Sequence, residues 1–200
     1  MSASTLDLLK KELVPGQVYR RSQLVKFTTS VDRHLKQLVG MGVLQKVDPG
    51  VYYRPEKSIF GDLPPDENKL VEAFLKDKNF LLVSLNAYNS MGVGTTQLYN
   101  EKLVYNHKRD GHISLNGRKY YFIKNRKFPK KMSDEFLLVD LVNNLKFLAE
   151  DTGELKRRVK KKSLSMSAKK MATAVERYGK ARTQKFFSEF LGNLNFKHGY

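Results

Sequence analysis

The feature that most restricts this chain is the stretch 28–55, where an apolar helix period gives way to an apolar strand period around a Pro-Gly turn. Thr28-Thr29-Ser30 opens it as a turn. Thr29 or Ser30 suits a helix N-cap, because its hydroxyl can accept from the free amides of the first turn. From Val31 to Met41 the residues Val31, Leu35, Leu38 and Val39 fall on one side of a helix. Arg33, Lys36, Gln37 and Gly40 fall on the other, with His34 on the flank. Gly42 to Val47 and Val51 to Pro55 then form two β-branched runs around Asp48-Pro49-Gly50, which predicts a hairpin.

Upstream, Leu6, Leu8, Leu9 and Leu13 predict a first helix closed by Pro15-Gly16. Arg20 to Lys26 predicts a second, with Leu24 and Val25 inward. Helix, helix, turn, helix and hairpin in that order predict a winged helix-turn-helix over residues 1–57. The polar face of the third helix carries what a groove reader needs. Arginine forks to guanine, glutamine pairs with adenine, and lysine meets phosphate or guanine. The candidate DNA-binding residues are therefore Arg20, Arg21, Lys26, Thr29, Ser30, Arg33, His34, Lys36 and Gln37, with Lys46, Tyr52 and Arg54 from the wing. The plainer alternative is a solvated helix face, and the same architecture also serves RNA or protein interaction.

Charge favours a polyanionic partner. The 200 residues hold 37 Lys and Arg against 20 Asp and Glu, a net +17. The excess is uneven: net +5 over 1–57, +2 over 58–152 and +10 over 153–200. The absence of cysteine excludes disulfides, cysteine-held metals and a thiol nucleophile. Apolar runs such as Phe80 to Val83 and Phe136 to Val139 fall far short of the roughly 18 residues that span a bilayer. The N-terminus shows no signal-peptide pattern, so a cytoplasmic location with no membrane partner is expected.

Ser58 to Pro65, with Gly61, Pro64 and Pro65, predicts a linker over 58–64. Beyond it, Asp66 to Lys76 predicts a helix with Leu70, Val71, Phe74 and Leu75 facing a core. Phe80 to Leu85 suits a buried strand or a helix start, Leu85 to Met91 a short helix, and Leu98 to Tyr105 a strand. His112 to Leu115 and Arg118 to Lys124 flank Asn116-Gly117, which suits a type I′ turn. Ser133 to Glu150 predicts an amphipathic helix with Phe136, Leu137, Val139, Leu141, Leu145 and Leu148 mostly inward. The basic run Lys156, Arg157, Arg158, Lys160, Lys161 and Lys162 is either a solvated face or a set of phosphate contacts. Ala168 to Tyr178 and Lys180 to Leu191 predict two helices, and Phe186, Phe187 and Phe190 are expected to dock on the middle domain rather than stack on bases.

The fold expectation is α+β: an N-terminal winged helix-turn-helix, then a mixed α/β domain over 65–200 with a helical basic C-terminal tail at 153–200. Three motifs in order resemble the AbiEi-type antitoxins of type IV toxin–antitoxin systems. They are Val31 through Gly50-Val51-Tyr52; Asn86-Ala87-Tyr88-Asn89-Ser90-Met91-Gly92-Val93-Gly94-Thr95-Thr96-Gln97; and the later hairpin with the leucine-rich helix near Asp134 to Leu148. The resemblance implies a DNA-binding domain and an antitoxin domain. It implies repression of the protein's own operon at double-stranded operator DNA, and neutralisation of a nucleotidyltransferase-like toxin without a stable complex. Carried over by position, Thr29, Ser30, Arg33, Lys36 and Gln37 would face the operator. The alternative is a winged-helix module for protein or RNA without antitoxin activity.

Enzyme signatures are missing from the residues. His34, His107, His112 and His198 show no zinc spacing. Pro65-Asp66-Glu67-Asn68-Lys69 sets its acids side by side at a helix start, where they favour the helix dipole rather than a metal between strands. Gly92-Val93-Gly94-Thr95-Thr96 lacks the Lys-Ser/Thr of a phosphate-binding loop and suits a helix C-cap. No enzyme activity, cofactor or metal is expected.

Overall fold

The computed structural model describes residues 4–93, 98–148 and 151–191. The Gly94 to Gln97 part of the glycine–threonine motif, the expected helix end at Glu150, and His198 lie outside the described residues. The fold is mixed α+β, in two compact units: residues 1–78 with 113–118, and residues 79–112 with 119–200.

The first unit begins with α1 (Thr5–Glu12), whose first turn is closed by Ser4 accepting from the Asp7 amide at 3.2 Å. β1 (Val18–Arg20), α2 (Arg21–Leu24) and a single 3₁₀ turn (Val25–Phe27) follow, then α3 (Val31–Gly40). β2 (Gln45–Asp48) and β3 (Val51–Tyr53) form the expected hairpin, with Gly50 at φ 75° in its turn. β3 is central in an antiparallel sheet of order β1-β3-β2. Leu9, Leu13, Leu24, Val31, Leu35, Leu38 and Leu44 make one buried cluster under this sheet and these helices. Val25, expected inward, is exposed: the chain tightens to 3₁₀ after Leu24, and the shorter turn rotates it out of register.

Residues 58–64, expected as a linker, are ordered. β4 (Glu56–Ser58) and β5 (Gly61–Leu63) pair antiparallel, and the Tyr53 hydroxyl donates to the Leu63 carbonyl at 2.6 Å. α4 (Glu67–Leu75) packs on β1 and buries Leu70, Val71, Ala73 and Leu75. The division between units therefore falls after Lys78, not at 58–64. Asp66 caps α4 by accepting from the Lys69 amide at 2.9 Å, the helix-start role read from Pro65-Asp66-Glu67-Asn68-Lys69.

In the second unit, β6 (Phe80–Ser84) leads into a 3₁₀ segment (Leu85–Met91). β7 (Lys102–Asn106), β8 (Gly111–Leu115) and β9 (Arg118–Lys124) complete a sheet of order β6-β7-β9-β8, of which residues 113–118 are assigned to the first unit. β7 pairs antiparallel with β6 and parallel with β9. Asn116 and Gly117, at φ 50° and 74°, provide the turn between β8 and β9. α5 (Asp134–Asn143) is the centre of this unit. It was expected to be amphipathic, but every residue from Phe136 to Val142 is buried, because α6 (Thr152–Leu164), α7 (Ala168–Tyr178), α8 (Ala181–Ser188) and the 85–91 segment all pack on it.

The basic segment is consequently not a tail. Leu155, Val159, Met171, Val175 and Phe187 belong to the same buried cluster as Val83, Leu103 and Leu138. Phe186, Phe190 and Leu191 pack against that cluster, the docking expected of the C-terminal aromatics. Among the described residues no helix is long and apolar enough to cross a membrane.

Candidate nucleic-acid interface

α3 owes its position to its apolar stripe. Val31, Leu35 and Leu38 are sealed in the first cluster, which leaves Arg33, Lys36, Gln37 and Gly40 outward. Arg33, Lys36 and Gln37 make no ion pair and no side-chain hydrogen bond among the described residues, and neither does Lys46 on β2. Uncommitted long polar side chains on one helix face are what a charged partner can recruit without first breaking protein contacts.

The start of α3 is open as well. Ser30 stands at the N-cap but makes no side-chain cap bond. The Thr28 hydroxyl instead accepts from the Ser30 amide at 3.2 Å and pairs with His34 Nδ1 at 2.9 Å. That pairing holds His34 at 6% exposure, and the little of it that remains accessible lines the groove at the start of α3. Thr29 is exposed, and the first-turn amides of α3 keep their partial positive charge. A groove of about 470 Å³ lies here, walled by Ser4, Thr29, Ser30, Arg33 and Gln37. Ser4 was not among the expected site residues. Only the packing of α1 brings it beside α3, and no sequence spacing encodes that.

Other expected contacts are engaged within the protein. Arg21 forms a bidentate pair with Asp32, Nε to Oδ1 and the terminal nitrogen to Oδ2, both at 2.6 Å. These hydrogen bonds, then the guanidinium charge, hold the Asp32 carboxyl below its ordinary pKa. Arg54 donates to the Lys10 carbonyl at 2.9 Å, closing the end of α1 rather than projecting from the wing. Tyr52 is half-buried and packs on the first cluster. Lys26 lies over the Phe27 ring with Nζ 4.7 Å from its centroid. Arg20 is half-buried at the end of β1, and its amide donates to Gln23 Oε1 at 2.8 Å.

In the basic run, Glu154 takes both Arg157 (2.5 Å) and Arg158 (3.0 Å). Lys160 lies over the Phe190 ring at 5.2 Å. Lys161 is exposed, Lys156 and Lys162 half-exposed. The two middle histidines do not come together as a pair. His107 Nε2 is 3.1 Å from the Asn79 amide nitrogen and its ring stacks on Phe128, whereas His112 Nδ1 is 2.8 Å from Glu101 Oε1. Among the described residues no group of three or more His, Asp or Glu side chains stands ready for a metal.

The second unit holds a buried polar network around Asp140. Asp140 accepts from the hydroxyl of Tyr88 at 2.7 Å, from Tyr105, and from Asn144 Nδ2 at 2.9 Å. Burial pushes the Asp140 carboxyl up to about 6 despite these donors. The two phenols are pushed up, first by burial and then by the carboxylate charge.

No family model matches the chain, and no curated protein matches it. The fold is similar to that in a solved structure described as the crystal structure of RV2827C protein from Mycobacterium tuberculosis, at a TM-score of 0.58 and 13% sequence identity, over 93% of this chain and 74% of that one.

Proposed function

We propose that the protein binds double-stranded DNA through its first unit, which we read as a winged helix, with α3 in the major groove. The observation that carries this reading is the uncommitted Arg33, Lys36 and Gln37 face beside the uncapped start of α3. The order α1-β1-α2-α3-β2-β3, with sheet order β1-β3-β2, supports it. Arg33 and Gln37 read base edges; Lys36, Lys46 and the α3 amides with Thr29 and Ser30 hold phosphates. With the AbiEi resemblance, this makes the protein an autorepressor and antitoxin of a type IV operon, acting on a nucleotidyltransferase-like toxin, and not an enzyme.

Fluorescence anisotropy tests the DNA part. The duplex upstream of the protein's own gene is compared with a scrambled duplex of equal length at two salt concentrations. A preference that survives the higher salt is expected. Equal, salt-sensitive binding to both would reduce the interaction to the +17 charge. Growth rescue on co-expression with a neighbouring toxin gene tests the antitoxin part, and failure of the full chain to rescue removes it.

A further inference from the structure

A second cationic site lies in the other unit. Where the end of α5 meets the starts of α6 and α8 there is a cavity of about 420 Å³. Lys146, Lys156, Lys180 and Arg182 line it, with Thr152 and Asn143. None of the four cations forms an ion pair among the described residues, although Lys180 Nζ donates to the Asn143 carbonyl at 3.3 Å and Lys146 Nζ lies 4.7 Å from the Phe147 ring centroid. Val142 and Leu145 give the cavity an apolar wall. Its volume is within the roughly 300–1,000 Å³ of small-ligand pockets.

Several features make this more than a basic surface. The charges converge from three chain segments. Lys146 and Lys180 stand close enough that partial burial, then the charge of Lys146, lowers the Lys180 pKa. The carboxylate that opposes this effect, Asp140, is buried and already held by Tyr88, Tyr105 and Asn144. Asp151, next to Thr152, is occupied by the Gly153 and Glu154 amides of α6, and the Glu154 carboxylate by Arg157 and Arg158. Asn143 is held in place by Thr183 and by the Lys180 amide, so the floor of the cavity is fixed before any ligand arrives. The first turn of α8 has no side-chain cap and adds its partial positive charge. Lys146, Lys180 and Arg182 are exposed, and like charges gathered at a concave site are relieved by an anion of matching charge.

We propose that this cavity binds a small polyphosphate of nucleotide size. Four cations match the three to four negative charges of a nucleoside triphosphate, and the Val142–Leu145 wall accommodates its apolar portion. Lys146, Lys180 and Arg182 grip the phosphate chain, and Lys156 closes it from α6. The site lies in the second unit and does not depend on the DNA-binding reading of the first.

Isothermal titration of the full chain with ATP, and separately with inorganic tripolyphosphate, tests this. ATP is expected to bind with one-to-one stoichiometry, and Arg182→Gln or Lys146→Gln to weaken it about tenfold each, the scale of one lost charge-assisted contact. Arg182 bonds to nothing among the described residues, so its replacement leaves the fold intact. Lys185→Gln, an exposed lysine on α8 outside the cavity, is expected to change affinity less than twofold. Tripolyphosphate binding with the same mutational pattern also supports the site. Absence of binding by both ATP and tripolyphosphate at millimolar concentration overturns it. So does equal weakening by Lys185→Gln, which would reveal diffuse charge. A single-stranded oligonucleotide that binds through Arg182 and Lys146 where ATP does not would assign the cavity to nucleic-acid backbone and overturn the proposal.

Discussion

Arg21 and Asp32 lock the start of α2 to the first turn of α3 through two parallel hydrogen bonds of 2.6 Å. The pair spends one cation of the first unit on a carboxylate that stands beside the proposed DNA-reading face. Asp32→Asn should release Arg21 and remove one repelling charge. Tighter binding to any duplex is expected, with a salt dependence steeper by about one unit of slope. Anisotropy across a salt series reads both, and an unchanged slope would show that Arg21 does not reach phosphate even when freed.

Arg33 and Lys36 should separate in kind. Arg33→Ala is expected to cost about 1–3 kcal/mol on the best site and to relax preference at one base position. Lys36→Ala should weaken matched and scrambled duplexes alike. Competition binding with a panel of single-base variants decides it; preference unaltered by Arg33→Ala would exclude α3 as the reader.

Asp140 predicts a pH dependence of stability. Its carboxyl titrates near 6 in the folded protein, above its ordinary 3.8. The folded state thus holds a proton that the unfolded chain releases earlier. Its contribution is complete below pH ~4 and is lost as pH rises through ~6, on the order of 3 kcal/mol in total. Urea midpoints measured between pH 4 and 7 should fall with rising pH relative to those of Asp140→Asn. Parallel curves for the two proteins would contradict the buried carboxyl.

Phe187 is fully buried on α8. Phe187→Ala should destabilise the protein by about 3–5 kcal/mol, through lost burial and the cavity left behind. Chemical denaturation measures this. A change below 1 kcal/mol would return α8 to the status of an appended tail.

The parts of the fold readable in the sequence are those whose signal is local. α3 shows its 3.6-residue stripe, and Pro49-Gly50 and Asn116-Gly117 mark their hairpins by chemistry confined to a few residues. β1 escaped notice because its three residues are defined by pairing with β3, more than thirty positions away. β4 and β5 are short and polar, so they carry no alternation to distinguish them from a linker. α6 misled in a different way. Its charge dominates the composition, yet Leu155 and Val159, one turn apart, are enough to bury one face.

The candidate site shows the same limit. Residue type and helix period were sufficient to place Arg33, Lys36 and Gln37 on the outward side of α3. The neutralisation of Arg21, the burial of His34 and the use of Arg54 to close α1 all depend on partners supplied by folding. The cavity of Lys146, Lys180 and Arg182 is invisible in sequence because its three segments meet only around α5.

The composition of the two buried clusters sets a schedule for synthesis. The first draws on residues 6 to 52, whereas the second needs α5 covered by Val159, Val175 and Phe187. On a ribosome adding about 5–20 residues per second, the first cluster emerges roughly 7 to 27 seconds before Phe187 does. During that interval α5 has no cover for its leucines, and the nascent second unit offers a sticky apolar helix to chaperones and to neighbouring chains. An early-condensing first unit and a companion that closes late would make translation arrest release molecules with the proposed DNA-reading face but without the second unit's core.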